Sequence, residues 1–301
     1  MLITGATGFA GRHLAAACAA AGDEVHELSR GTGCDLRDAA AAGAAVARCR
    51  PEVVYHLAAR AHVGASWNDP AGTLRDNVAI SLNLFEAVRT EAPEALVIAV
   101  ASGELYGMPA RLPADEETPL RPRNPYAVSK AATDLLAGFY ADAHGLRVVR
   151  ARAFNHAGPG QPPVYAISSF ARQVAAGLEA REARVRVVTG NPDARRDYTD
   201  VRDVVRAYRL LAARGEPGTF NVCSGRSAST RELVAALARG AGVEVEHAVE
   251  QSLVRAHDIT EVRGDARRLA AATGWAPEIP LERTLADTVA WWRAELRAGR
   301  G

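Results

Sequence analysis

The 301-residue chain is predicted to be an α/β protein built on a doubly wound parallel Rossmann sheet, with a smaller C-terminal α/β lobe that binds the substrate. Three observations carry that expectation. Short apolar runs alternate with longer helical patterns through the first half, as in successive βαβ units. A glycine loop directly follows the first run and opens the first helical stretch. Residues 53–57, interrupted only by His56, and residues 96–101 are apolar runs of the kind expected of strands covered on both faces.

Residues 1–4 are expected to form the first strand and 12–21 the first helix. That strand lies so close to Met1 that one or two residues are expected to precede it. Residues 24–28, 53–57, 96–101 and 147–152 supply further strands. Two helices, over 77–91 and around Tyr126, are apolar round most of their circumference. The first carries Val78, Ile80, Leu82, Leu84, Phe85 and Val88; the second carries Val128, Leu135, Leu136 and Phe139. A helix of this kind has to be covered on more than one side, either inside one large domain or by a second copy in a homodimer. Beyond residue 155 the texture changes. Turn formers crowd 155–163, a helix is expected over 167–180, a strand near 185–188 and an amphipathic helix over 284–296. The expected division is a dinucleotide-binding domain of 1–157 and 198–224, beside a nucleotide-sugar-binding lobe of 158–197 and 225–301.

Composition narrows the function. With 36 Lys plus Arg against 35 Asp plus Glu, the formal charge is +1, which gives no global field for nucleic acid or acidic membrane. The four cysteines form no CxxC pair, so a structural metal is not expected and a reduced cytoplasmic setting is. No apolar run reaches the roughly 18 residues of a membrane span, and no signal peptide is expected before the turns that begin at Gly5.

The glycine loop is Gly5-Ala6-Thr7-Gly8-Phe9-Ala10-Gly11. Glycines there allow a tight turn, a close approach of main chain to a pyrophosphate, and tight packing of helix on sheet. The helix N-terminus adds unpaired N–H groups and the positive end of its dipole. The second strand ends Ser29-Arg30 rather than in Asp or Glu, which favours NADP(H) over NAD(H).

Lys130 is the only lysine in the chain, and it stands four residues after Tyr126. Arginine replaces lysine for solubility but not where a compact ammonium has to act on a neighbour. The i,i+4 spacing puts both side chains on one helical face. Ser102 ends an apolar run, and so faces the ligand crevice of a parallel sheet.

At this Ser, Tyr, Lys set the chain resembles the extended short-chain dehydrogenase/reductases, the NAD-dependent epimerase/dehydratase group. The resemblance spans nearly the full length. It includes the glycine loop, His56-Leu57-Ala58-Ala59, Asn77, Ser102, and Tyr126 with Lys130. It implies that Tyr126 is the general acid/base, that Lys130 lowers its pKa and holds the nicotinamide ribose, and that Ser102 orients the sugar C4 oxygen. It also implies that Asp35, Leu36, Leu57, Ala58, Ala59 and Asn77 border the cofactor.

Within that group, Arg152-Ala153-Phe154-Asn155-His156-Ala157-Gly158-Pro159-Gly160-Gln161 is most similar to GDP-4-keto-6-deoxy-D-mannose reductases, and GDP-mannose 4,6-dehydratases share much of the layout. The resemblance implies that Asn155 and Arg196 hold a diphosphate, and that Arg255 and Asp258 hold the nucleotide end of a GDP-sugar. A dehydratase needs an acid and a base beyond the tyrosine. Ser102, Gly103 and Glu104 are expected to border the sugar; Glu104 can serve as one of these groups, but Gly103 has no side chain to offer. The expected reaction is therefore reduction of the C4 ketone to GDP-D-rhamnose. A 4,6-dehydratase and a 4-epimerase are the alternatives, and a non-catalytic dinucleotide sensor is a third of a different class.

Overall fold

The computed structural model describes residues 1–254 and 259–299. The first half runs β1 (Leu2–Thr4), α1 (Phe9–Ala20), β2 (His26–Leu28), α2 (Ala39–Cys49), β3 (Val53–His56), α3 (Val63–Asn68), α4 (Pro70–Glu91), β4 (Leu96–Ser102), α5 (Pro125–His144) and β5 (Arg147–Ala153). The second half continues through β6 (Asn155–Ala157), α6 (Ala166–Glu179), β7 (Arg184–Thr189), β8 (Arg195–Asp200), α7 (Val201–Arg214) and β9 (Gly218–Val222). It ends with β10 (Ser227–Ser229), α8 (Thr230–Ala241), β11 (Glu244–Val249), β12 (Glu261–Val262), α9 (Arg267–Thr273) and α10 (Leu281–Arg297).

Six parallel strands form the main sheet in the order β2-β1-β3-β4-β5-β9. Leu2 lies opposite both His26 and Val54, and Leu96 opposite both Val53 and Arg147. The winding direction reverses between β1 and β3, so a crevice opens beyond the carboxyl ends of those strands. Both faces are buried, which explains the apolar runs. One face packs Ile3, Val149 and Ala151 with Leu14, Val204 and Leu211 of α1 and α7. The other packs Leu2, Val54 and Val97 with Val46, Leu84 and Ala137 of α2, α4 and α5.

Two helix starts follow from their caps. α4 begins at Pro70, a full two turns before the expected residue 77, because Asp69 accepts from Gly72 N at 2.9 Å and Pro70 fits the first helical position. α5 has the same grammar. Asn124 accepts from Ala127 N at 2.7 Å and Pro125 follows it. Along α4 and α5, Leu74, Leu82, Val128, Leu135 and Phe139 remain exposed, although both helices are covered on the sheet side.

The smaller sheet is built on β8, which pairs with β10, β12 and β6, while β7 pairs with β11. Phe170, Val174, Leu233, Leu237, Leu285 and Trp292 form its core between α6, α8 and α10. Residues 198–200 thus belong to β8, and the chain re-enters the main core at α7 and β9. It does so again at α9, where Leu269 and Trp275 join the core under α7. Asp203 fixes this second return: its main-chain carbonyl accepts from Trp275 Nε1 at 3.0 Å, and its carboxylate accepts from Glu278 N and Ile279 N. Among the described residues no helix is long and apolar enough to cross a membrane.

Candidate active site

The glycine loop leaves no room for a side chain at Gly5 or Gly11. Gly5 has φ +71°, and a Cβ there would stand 2.9 Å from Ala58 N; one on Gly11 would stand 2.2 Å from Gly5 O. Beneath the loop, His56 bridges Thr4 Oγ1 and Ser81 Oγ, each at 2.9 Å. Thr4 Oγ1 also accepts from Ala58 N at 3.2 Å, so β1 and the end of β3 are tied where they carry the loop. Burial, with a smaller contribution from Lys130, pushes His56 down to about 3, so it is a neutral structural link.

The loop opens into a cleft of about 1620 Å³ between the two cores. Gly5, Thr7, Gly8, Phe9, Ala10, Gly11, Arg30, Asp35, Leu36, Leu57, Ala58 and Ala59 all line it. Asn77 does not. It accepts from Arg60 N at 2.7 Å and donates to Ser129 Oγ at 2.8 Å, so it stitches the segment after β3 to α5 from behind. Ser29 and Thr32 form a reciprocal cap on the short turn that carries Arg30. Asp35 is engaged by Arg37, whose hydrogen bonds hold its carboxyl well below the usual range.

The reacting end gathers Ser102, Glu104, Tyr126 and Lys130 along the same cleft. Ser102 Oγ accepts from Glu104 N at 3.2 Å, where the chain leaves β4 in a tight 3₁₀ turn. Glu104 accepts from Asn124 Nδ2 at 3.1 Å, which joins that turn to the start of α5. The Tyr126 main-chain N–H donates to Ser66 Oγ. The expected influence of Lys130 on Tyr126 is not what the geometry gives. Burial pushes the Tyr126 phenol up, a hydrogen bond with Ser102 draws it partway back, and nearby Tyr165 and Glu104 raise it. The Lys130 ammonium instead donates to the Val100 carbonyl, and burial lowers its own pKa to about 8.

Under this end lies a buried polar network. Arg152 donates to Asp134 Oδ1 at 3.1 Å and Oδ2 at 2.8 Å, and to Tyr106 Oη and the Glu116 carbonyl at 3.0 Å each. Tyr106 in turn donates to Asn221 at 2.7 Å. These bonds join α5, β5, β9 and the turn after β4.

At the sugar end Asn155 and Arg196 line the cleft, and Arg196 also donates to the carbonyls of Arg195 and Ile259. Gly103, expected to border the sugar, does not line it, because the Phe154 ring lies over it. A Cβ at Gly103 would stand 2.8 Å from the Phe154 ring, and one at Gly264 would stand 2.6 Å from the same ring. Phe154 therefore occupies the space a residue 103 side chain would need. Arg255 and Asp258 lie outside the described residues. Sequence reasoning passed over Asn124, Phe154, Gln161, Tyr165 and Tyr208, all of which line the cleft. Only Asn124 left a local signal, the Asn-Pro start of a helix; the others reach the cleft through contacts distant in sequence.

The family model for GDP-mannose 4,6 dehydratase matches residues 2–288. GDP-6-deoxy-D-mannose reductase from Pseudomonas aeruginosa is 38% identical over 99% of this chain and 98% of its own length. The solved structure of RMD from Pseudomonas aeruginosa complexed with NADPH superposes with a TM-score of 0.88 at 37% identity, covering 98% of this chain and 99% of that one. The UDP-glucose 4-epimerase of Thermus thermophilus, solved in complex with NAD, superposes with a TM-score of 0.84 at 31% identity, covering 97% of this chain and 98% of the other. With its parallel sheet, its glycine loop and the Ser102, Tyr126 and Lys130 cleft, the chain belongs to the GDP-mannose 4,6 dehydratase family within the extended short-chain dehydrogenase/reductases.

Proposed function

We propose that this protein reduces the C4 ketone of GDP-4-keto-6-deoxy-D-mannose to GDP-D-rhamnose, with NADPH favoured as donor and NADH possible. The glycine loop suits a pyrophosphate: Gly5 turns tightly at φ +71° against Ala58, and Gly11 packs on Gly5 O with no room for a Cβ, which brings the loop and the start of α1 together at the cleft. Arg30 borders the cleft beside an Asp35 already paired with Arg37, which suits a ribose 2′-phosphate. When bound, NADPH supplies the hydride that goes to C4. Tyr126 gives its phenolic proton to the C4 oxygen as the carbonyl bond opens, Ser102 donates to that oxygen and orients it, and Lys130 takes the nicotinamide ribose. Asn155 and Arg196 engage the diphosphate, and Arg255 with Asp258 the nucleotide end.

The observation that carries the reductase over the dehydratase is the Phe154 ring against Gly103, which leaves no place for an acid there. Glu104, held by Asn124, then serves as a ligand to a sugar hydroxyl. We read the exposed apolar stripe of α4 and α5 as the interface of a homodimer, and the four unpaired cysteines as fitting a cytoplasmic setting. We also divide the chain into a dinucleotide-binding and a sugar-binding lobe, with α9 joined to the former.

The test is to mix protein, NADPH and GDP-4-keto-6-deoxy-D-mannose and follow the absorbance of the reduced nicotinamide. Stoichiometric loss is expected. No loss, with turnover of GDP-mannose on added NADP, would overturn the reading.

A further inference from the structure

Lys130 and Asp134 are one turn apart on α5, the spacing at which a lysine and a carboxylate ordinarily pair. Here they do not pair. Asp134 has a fully buried side chain, and both of its oxygens are taken by Arg152 at 3.1 and 2.8 Å. Lys130 turns instead to the Val100 carbonyl at the cleft wall. Arg152 is held by two further bonds, to Tyr106 and the Glu116 carbonyl, and stacks over the Tyr106 ring at 5.3 Å.

We infer that Arg152 is a positioning residue for Lys130: by occupying both oxygens of Asp134 it denies the lysine its natural helical partner and leaves the ammonium directed into the cleft. The inference rests on the reading of Lys130 as a cofactor-binding cation. Removing one member of a buried pair leaves the other charge seeking compensation; the cations that can supply it are Arg150, 3.5 Å from Asp134 Oδ2 but partly in solvent, and Lys130, one turn away on α5 and already within the field of Asp134.

Other charged and titratable groups around the pair are accounted for. His56 on β3 is neutral between Thr4 and Ser81. Arg150 on β5 stands 3.5 Å from Asp134 Oδ2 with its side chain partly in solvent. On α4, Asp76 pairs with Arg60 and Arg75, and Glu86 with Arg89 and Tyr140. Tyr126 and Glu104 flank the cleft side, and Tyr106 and Glu116 lie beyond Arg152.

Because Lys130 is the only lysine, protein labelled with ¹³C at the lysine ε carbon gives one side-chain resonance, which reports the titration of that amine without any turnover. The wild-type midpoint is expected near 8. Arg152→Met frees Asp134 to pair with Lys130 and should raise the midpoint by about one unit or more. Asp134→Asn keeps Arg152 but removes the negative charge, and should lower the midpoint. Fluorescence titration of NADPH should show weaker binding in Arg152→Met, with recovery in Asp134→Asn/Arg152→Met. Midpoints that stay fixed in both single variants, or move in the same direction, overturn the inference. If Arg152→Met does not fold, Arg152→Lys keeps the charge but gives up the two-point hold on Asp134; a Lys130 midpoint and an NADPH affinity both unchanged in that variant overturn the inference. A reductase assay that fails beside these shifts would sink the substrate assignment and leave this role standing.

Discussion

At the cofactor end of the cleft the loop is shaped by glycines that have no room for a side chain, whereas at the sugar end the reacting side chains are held by hydrogen bonds. Gly5, Gly8 and Gly11 expose backbone to the ligand, and their shape is enforced by what a Cβ would strike. Ser102, Glu104 and Tyr126 are fixed by partners: Ser102 to Glu104 N, Glu104 to Asn124, and α5 to β5 through Asp134 and Arg152. The first kind of surface recognises what every dinucleotide shares. The second can be retuned one side chain at a time, which suits a fold whose relatives act on different sugars. The two ends should therefore fail in opposite ways, by adding atoms at one and by removing them at the other.

The largest effect is expected from removing a single oxygen at the sugar end. Tyr126→Phe should lower kcat by roughly 10²–10⁴-fold, the usual worth of a general acid, while NADPH binding by fluorescence titration stays unchanged. A loss below tenfold would break the side-chain half of the comparison. Gly11→Ala probes the other end, since its methyl would meet Gly5 O at 2.2 Å. It should destabilise the fold by about 1–3 kcal/mol in denaturant unfolding and weaken NADPH binding as well.

Gly103→Ala tests the one place where the sugar end is also limited by added atoms. With the Phe154 ring 2.8 Å from the new Cβ, a penalty of about 1–3 kcal/mol is expected, and it should shrink in a Phe154→Leu background. An equal penalty in both backgrounds would mean the ring is not the obstacle. The last effect is absent at neutral pH and emerges only in acid. His56 is held near 3 in the fold against 6.5 otherwise, so as pH falls below 6.5 the unfolded chain takes up a proton that the folded one refuses. Stability from this source is intact above 6.5 and declines progressively toward 3. A His56→Gln variant should show a shallower acid slope in that window by circular dichroism.

The same contrast explains what could be read from the sequence. The glycine loop, the buried strands and the Ser102, Tyr126 and Lys130 spacing are local patterns, and they place the fold and the reacting end. Phe154 against Gly103 joins residues on different strands, and Asp134 with Arg152 joins a helix to a strand; no local spacing announces either contact. The titration of Tyr126 is set by contacts of the same distant kind. Spacing puts a cation near the phenol, but the Val100 carbonyl and the depth of burial decide what that cation does. The starts of α4 and α5 were legible in principle, since Asp69-Pro70 and Asn124-Pro125 are cap-and-proline pairs.

The most direct measurement is isotope transfer. Protein is mixed with GDP-4-keto-6-deoxy-D-mannose and one equivalent of NADPH carrying two deuterons at nicotinamide C4, and the sugar product is read by mass spectrometry and proton NMR. A C4 ketone reductase predicts one deuteron at sugar C4 and one NADP formed per product. Unlabelled product, or unchanged 4-keto sugar with the deuterated NADPH intact, would contradict it.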